Sequence, residues 1–297
     1  MNWARFSSKP PPAFPLIRGG LDSKRFSLSL LLPTHDPDLF VTAIKFPPRG
    51  RPVVRWPGGK TCLLKKLLPL IPKHSCYVEP FAGGLAVLLA KPRSSVEVIN
   101  DTHGDLINFY RCVRFHCEAL LAEIEFVPNS RREFHDFRAQ PGLTDLQRAA
   151  RWFIRNKIGF GGRDDCIGVS VSHGLPSRQN RIEAIRRLNL RLDQVTIENL
   201  DWQRCLTIYD RPATFFFLDP PYLGHDVANY QAWKEADAEA LRQRLDQIEG
   251  KWLLTLNDCK AVRTIFKGCS VTPVTRSRGI NNKAGYVGYA ELIIRPK

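Results

Sequence analysis

The sequence predicts an α/β fold: a doubly wound sheet interrupted by an inserted, mainly helical module. Three observations carry this. Short apolar runs that read as strands alternate with helical patterns on both sides of residues 126–204, and that interval breaks the alternation. A glycine turn, Gly83-Gly84, stands between a strand-like run and a helix-like one. The apolar run Phe215-Phe216-Phe217-Leu218 ends in Asp219-Pro220-Pro221-Tyr222, and a strand cannot continue its ladder through two prolines, because proline lacks the donor.

Residues 1–52 come first and differ from the rest. They are rich in Pro, Ser and basic residues, and Pro10-Pro11-Pro12 and Pro47-Pro48 oppose a long helix. A disordered basic extension is expected. Its prolines disfavour an amphipathic transit peptide. Met1 is the sole methionine and the α/β pattern starts near Val53, so initiation at a valine near that point is a further expectation. From Val53, Leu63–Leu68 has helical periodicity and stops before Pro69. Cys76–Glu79 reads as a strand, Leu85–Ala90 as a helix stopped at Pro92, and Val96–Ile99 as a second strand. A helix is expected over 105–124. Within 126–204, helices are expected near 144–158 and 178–193, around a Gly-rich stretch at 159–174. Ile182, Ile185, Leu188 and Leu192 form the apolar stripe of the second, and Arg181, Arg186, Arg187 and Arg191 decorate it. Strands then resume at 195–197, 215–218, 251–255 and 290–294. The expected organisation is a main domain of 53–125 and 205–297 with 126–204 inserted.

Composition excludes some classes and favours one partner. The 297 residues are 43% hydrophobic and 25% charged, which suits a globular chain, yet the net charge is +15. A surplus of that size favours a polyanion, most commonly nucleic acid. No apolar run is long enough for a membrane span. The eight cysteines form no CxxC pair, which argues against a zinc ribbon, and no metal site is expected. Without a secretory signal, a reducing cytoplasm is the expected location.

The motifs carry the chemistry. Gly83-Gly84 lets a ligand approach the backbone closely, but Leu85 stands where a GxGxxG would have a further small residue, so a dinucleotide is disfavoured. Asp101 closes the second strand about 20 residues on, where a carboxylate accepts bonds from ribose hydroxyls. A nucleoside cofactor without phosphates fits both. At the second site, the Asp219 carboxylate and the Pro220 carbonyl present acceptors and Tyr222 a flat ring. That set suits a planar base with an exocyclic amino group. A plain proline turn is the competing reading.

Four blocks in order, Arg55-Trp56-Pro57-Gly58-Gly59-Lys60, Tyr77–Gly84, Val96–Asp101 with Asp105–Asn108, and Asp219–Tyr222, resemble the Dam-like (D12 class) DNA adenine N6-methyltransferases. The resemblance spans about residues 53–297. It implies a Rossmann-like S-adenosylmethionine-dependent methyltransferase sheet with an inserted target-recognition module. It implies S-adenosylmethionine as cofactor, held by Trp56, Lys60, Glu79, Phe81, Gly83, Asp101 and Asp219. Glu79 as a mere strand cap stays open. It implies Asp219, Pro220 and Tyr222 as the catalytic residues, and double-stranded DNA with a flipped adenine as partner. A restriction endonuclease is an implied cellular partner. Arg155, Asn156, Lys157, Arg163, Arg178 and Arg181 are the candidates for nucleic-acid contact. The stretch Phe160–Asp165 departs from the family's Asn-Gly-rich pattern, so no target sequence is inferred. Asn257-Asp258 and a basic loop at 276–288 also look like family elements. RNA as substrate, and a homologue that binds nucleic acid without turnover, remain alternatives.

Overall fold

The structure is a computed structural model, and it describes residues 51–159, 167–168, 177–224, 233–275 and 290–297. The extension to residue 50, most of the Gly-rich stretch, Arg163 and the 276–288 loop lie outside the described residues. Among the described residues, seven strands form one sheet: β1 (Cys76–Glu79), β2 (Val96–Asn100), β3 (Val195–Glu198), β4 (Thr214–Leu218), β5 (Lys251–Asn257), β6 (Ser270–Thr275) and β7 (Ala290–Arg295). Their order is β3-β2-β1-β4-β5-β7-β6. The five strands from β3 to β5 are parallel, and β7 runs antiparallel between β5 and β6. The sequence predicts every strand except β6. Pro273 sits within it, and the edge position explains why a proline is tolerated there.

Side chains alternate between two cores, as the two-residue period of a strand requires. Tyr77, Ile99, Phe215, Phe217 and Leu253 face one core; Val78, Val98, Phe216, Leu218 and Leu254 face the other. The helices divide accordingly. The first core takes in α1 (Leu64–Leu67), α2 (Ala86–Ala90), α3 (Gly104–Phe115), α4 (Cys117–Glu125), α6 (Asp145–Ile158) and α7 (Arg178–Leu192), with Phe134 of α5 (Arg131–Ala139). The second takes in α8 (Trp202–Tyr209), α9 (Glu235–Leu245) and α10 (Lys260–Ile265). The helix expected over 105–124 is two, because His116 leaves helical geometry at φ −136 and ψ 38. Among the described residues of 126–204, helices α6 and α7 and Phe134 of α5 share the first core with the sheet, and β3 is a sheet strand. Among the described residues no helix is long and apolar enough to cross a membrane.

One buried ion cluster ties α7 to the sheet. Arg191 meets Glu97 of β2 through both carboxylate oxygens and donates to the Leu88 carbonyl at 2.9 Å. Lys91 Nζ lies 2.5 Å from Glu97 Oε1 and over the Tyr77 ring. Burial alone would raise the Glu97 carboxyl, but hydrogen bonds from Arg191 and Lys91 hold it below its ordinary value. Its contribution to stability is therefore present above the ordinary carboxylate range and lost as pH falls through the lowered value. Removing one member of such a cluster strands buried charge. Arg191→Ala is expected to lower the unfolding free energy by roughly 3 kcal/mol, measured by denaturant titration. A change under about 1 kcal/mol would show that the cluster contributes little.

Candidate active site

The site forms at the carboxyl ends of the parallel strands, where open α/β sheets bind ligands. Asp219 follows the last residue of β4, and its side chain is 20% exposed. Two donors converge on its Oδ1. Lys60 Nζ lies 2.6 Å away and Thr255 Oγ1, on β5, 2.8 Å. Lys60 is 2% exposed, donates also to the Gly58 carbonyl at 2.7 Å, and stands 5.1 Å from the centre of the Tyr222 ring. The first sequence block and the Asp-Pro-Pro-Tyr turn are thus one site. Asn257, at the end of β5, fixes the turn from below. It accepts from Leu223 N at 3.1 Å and donates to Leu223 O at 3.0 Å.

The glycine turn is built around Trp56. Gly83 has φ +45, and a Cβ there would lie 2.8 Å from Trp56 Cδ1, so only glycine fits. Gly83 donates to Asp101 Oδ2 at 3.0 Å, and its carbonyl accepts from Tyr110 at 2.6 Å. Asp101 Oδ1 accepts from His103 N at 2.9 Å. Leu85 takes φ 60, the one non-glycine with positive φ among the described residues, at a strain of about 1 kcal/mol or more. The Gly83 amide is thus taken up by Asp101.

Glu79 is buried and accepts from Tyr77 Oη at 2.6 Å and Leu88 N at 2.8 Å, through one oxygen. Burial pushes its carboxyl up to about 7 against those two hydrogen bonds. Phe81 joins Trp202 and Trp233 in a half-exposed aromatic group, with ring centroids 5.7 to 6.4 Å apart. Neither tryptophan carries a motif, so pattern reading passes over both. Asn100 is a further residue it misses: it donates to Pro80 O and Leu200 O at 3.0 Å each and accepts from Leu200 N. His103 accepts from Leu106 N to cap α3 and packs edge-on to Trp56 at 5.4 Å.

The nucleic-acid candidates divide by exposure. Asn156 is buried and exchanges two 2.8 Å hydrogen bonds with the Arg55 backbone, which ties the first block to α6. Arg155 is 7% and Arg181 3% exposed, and Arg181 donates to Asn129 at 2.8 Å. Arg178 is exposed, and Lys157 is half-buried. The Lys157 ammonium is pushed down to about 8 by burial, then by Arg55 and Arg181.

The family model described as D12 class N6 adenine-specific DNA methyltransferase matches residues 56–280, and the chain belongs to that family. Among similar proteins, the type II methyltransferase M.CviBI of Paramecium bursaria Chlorella virus NC1A is 24% identical over 80% of this chain and 95% of its own length. The retron Ec67 DNA adenine methylase of Escherichia coli is 30% identical over 82% and 90%. The type II methyltransferase M1.LlaDCHI of Lactococcus lactis subsp. cremoris is 26% identical over 82% and 94%.

The raised Glu79 carboxyl gives a signed prediction. The folded state holds its proton up to about 7 against an ordinary 4.5, so its contribution is present below 4.5 and lost as pH rises through 7. Glu79→Gln keeps both hydrogen bonds without the charge. Stability of the variant relative to wild type should therefore rise across that window, by up to roughly 3 kcal/mol. Parallel stability curves from pH 4.5 to 7 would refute the shift.

Proposed function

We propose that the chain methylates the N6 amino group of adenine in double-stranded DNA, at the turn of Asp219, Pro220 and Tyr222. The observation that carries this reading is Asp219 itself, at the end of a buried strand, with one carboxylate oxygen taken up by Lys60 and Thr255. Trp56, Glu79, Phe81, Gly83 and Asp101 line the adjoining strand ends and would hold S-adenosylmethionine, with Lys60 and Asp219 closing toward it. When bound, this cofactor supplies an electrophilic methyl group on a sulfonium centre.

The protein's part is positioning and electrostatics. The lone pair of adenine N6 is delocalised into the ring, which makes it a poor nucleophile. The Asp219 carboxylate and the Pro220 carbonyl would accept the two amino hydrogens and draw the nitrogen toward a tetrahedral shape. Tyr222 would stack on the base once it has left the duplex. After transfer N6 sheds one proton, and the partly exposed Asp219 can pass it to water.

DNA would be held by basic groups at the end of α6 and the start of α7. Arg178 and Lys157 reach the surface, and Arg55, close to Lys157, is exposed. Arg155 and Arg181 lie deeper and would supply field more than contact. Arg163 belongs to the same proposal by its place in the chain. Two of the relatives carry type II methyltransferase names, which supports a restriction endonuclease as cellular partner.

Two outcomes are expected. Radiolabelled S-adenosylmethionine should transfer label to unmethylated genomic DNA as N6-methyladenine, and Asp219→Ala should reduce the rate at least about 100-fold. Label in RNA alone, or an active Asp219→Ala, would overturn the assignment. A phosphate beside Lys157 would also lift its ammonium back toward the ordinary value. Calorimetry at pH 8 in buffers of different ionisation heat should then show uptake of part of a proton on DNA binding. Uptake unchanged in Lys157→Met would remove that residue from the DNA surface.

A further inference from the structure

The geometry points to Thr255 as a positioning residue for the methyl transfer, acting through Asp219; this rests on the proposed function. Thr255 lies in the central part of β5, in the run Trp252-Leu253-Leu254-Thr255-Leu256, and is 0% exposed. Every neighbour in that run is apolar and buried. A buried strand favours valine there, and threonine differs from valine by one hydroxyl. That hydroxyl lies 2.8 Å from Asp219 Oδ1 and 3.3 Å from the Leu218 carbonyl. The shorter contact is to an ionisable acceptor, where a hydrogen bond is stronger.

The consequence is orientation. A carboxylate on a turn can rotate about its side-chain bonds, and χ2 of Asp is a broad torsion. Lys60 alone would not stop this, because an ammonium is a compact donor that can follow a rotating oxygen. Thr255 is different: its hydroxyl is carried by a β-branched side chain on a strand, with a stiff χ1. Two donors from separate elements, the Lys60 turn and β5, fix Oδ1 between them. Oδ2 is then the oxygen that faces the exocyclic amine. The strand register supports this. Leu218 pairs with Leu254, so the residue after each strand partner, Asp219 and Thr255, stand side by side.

The test compares Thr255→Val, Thr255→Ser and Thr255→Cys with wild type in single-turnover methyl transfer to unmethylated genomic DNA at saturating cofactor. Calorimetric binding of S-adenosylhomocysteine and thermal melting are measured on the same samples. Thr255→Val should slow transfer roughly 10- to 100-fold, the size of a small misplacement of a reacting group, with analogue affinity within about two-fold. Thr255→Ser should return to within about three-fold of wild type, and Thr255→Cys, a weak donor, should fall between. A Val variant at the wild-type rate, a loss of analogue affinity that matches the loss of rate, or a Ser variant no better than Val would each overturn the inference. A wild-type protein that labels no DNA would remove the functional reading and the inference together. An active wild type matched by Thr255→Val removes the inference alone.

Discussion

The active end of the sheet depends on the contact between Lys60 and Asp219. A buried ammonium is costly without a partner, and for Lys60, at 2% exposure, a carboxylate at 2.6 Å supplies one. Much else is located by that pair. Lys60 also bonds the Gly58 carbonyl, so the Pro57-Gly58-Gly59 turn is pulled across the end of β4. Trp56 then lies against Gly83, where no side chain would fit, and Gly83 donates to Asp101 at the end of β2. Each contact fixes the position that the next one needs. The first sequence block, the glycine turn and the Asp219 turn are held together by side chains from strand ends that are not neighbours in sequence.

A parallel sheet gives those strand ends a common edge but not a common geometry. Each strand leaves the sheet into a loop whose backbone groups need partners. Side-chain amides provide them here. Asn100 bridges the loops after β1 and β3, Asn257 holds the loop after β4, and Asn156 holds the first block from α6. An amide carries both a donor and an acceptor, so one asparagine can satisfy both backbone groups of a single residue. That is what Asn257 does for Leu223 and Asn156 for Arg55.

The motifs were legible in the sequence because each joins a composition that strands or helices reject to one that they favour. Asp219-Pro220-Pro221 after four apolar residues marks a strand end whatever the fold, and Gly83-Gly84 before an apolar helix marks a close approach. The strands β1 to β5 and β7 could be read in the same way. Strand β6 could not, because Pro273 is evidence against a strand until its edge position is known. Trp202, Trp233, Asn100 and Thr255 were not legible either. Their significance lies in what another segment brings next to them, and a threonine in an apolar strand reads as ordinary β propensity. The break at His116 was hidden for the opposite reason: helical periodicity continues on both sides of it.

The basic surplus illustrates the same limit at the level of charge. Composition says that the chain carries +15, and it cannot say which cations are in water. Burial sorts them. Arg191 serves a structural cluster with Glu97, and Arg155 and Arg181 are sunk to a few per cent exposure, while Arg55 and Arg178 stay outside. A guanidinium remains charged under such burial, because its proton is held too tightly to lose. Lysine yields more readily, so the repulsion within this group is expressed on Lys157, which burial, Arg55 and Arg181 together push down to about 8. A phosphate laid against that surface would reduce the repulsion among Lys157, Arg55 and Arg181.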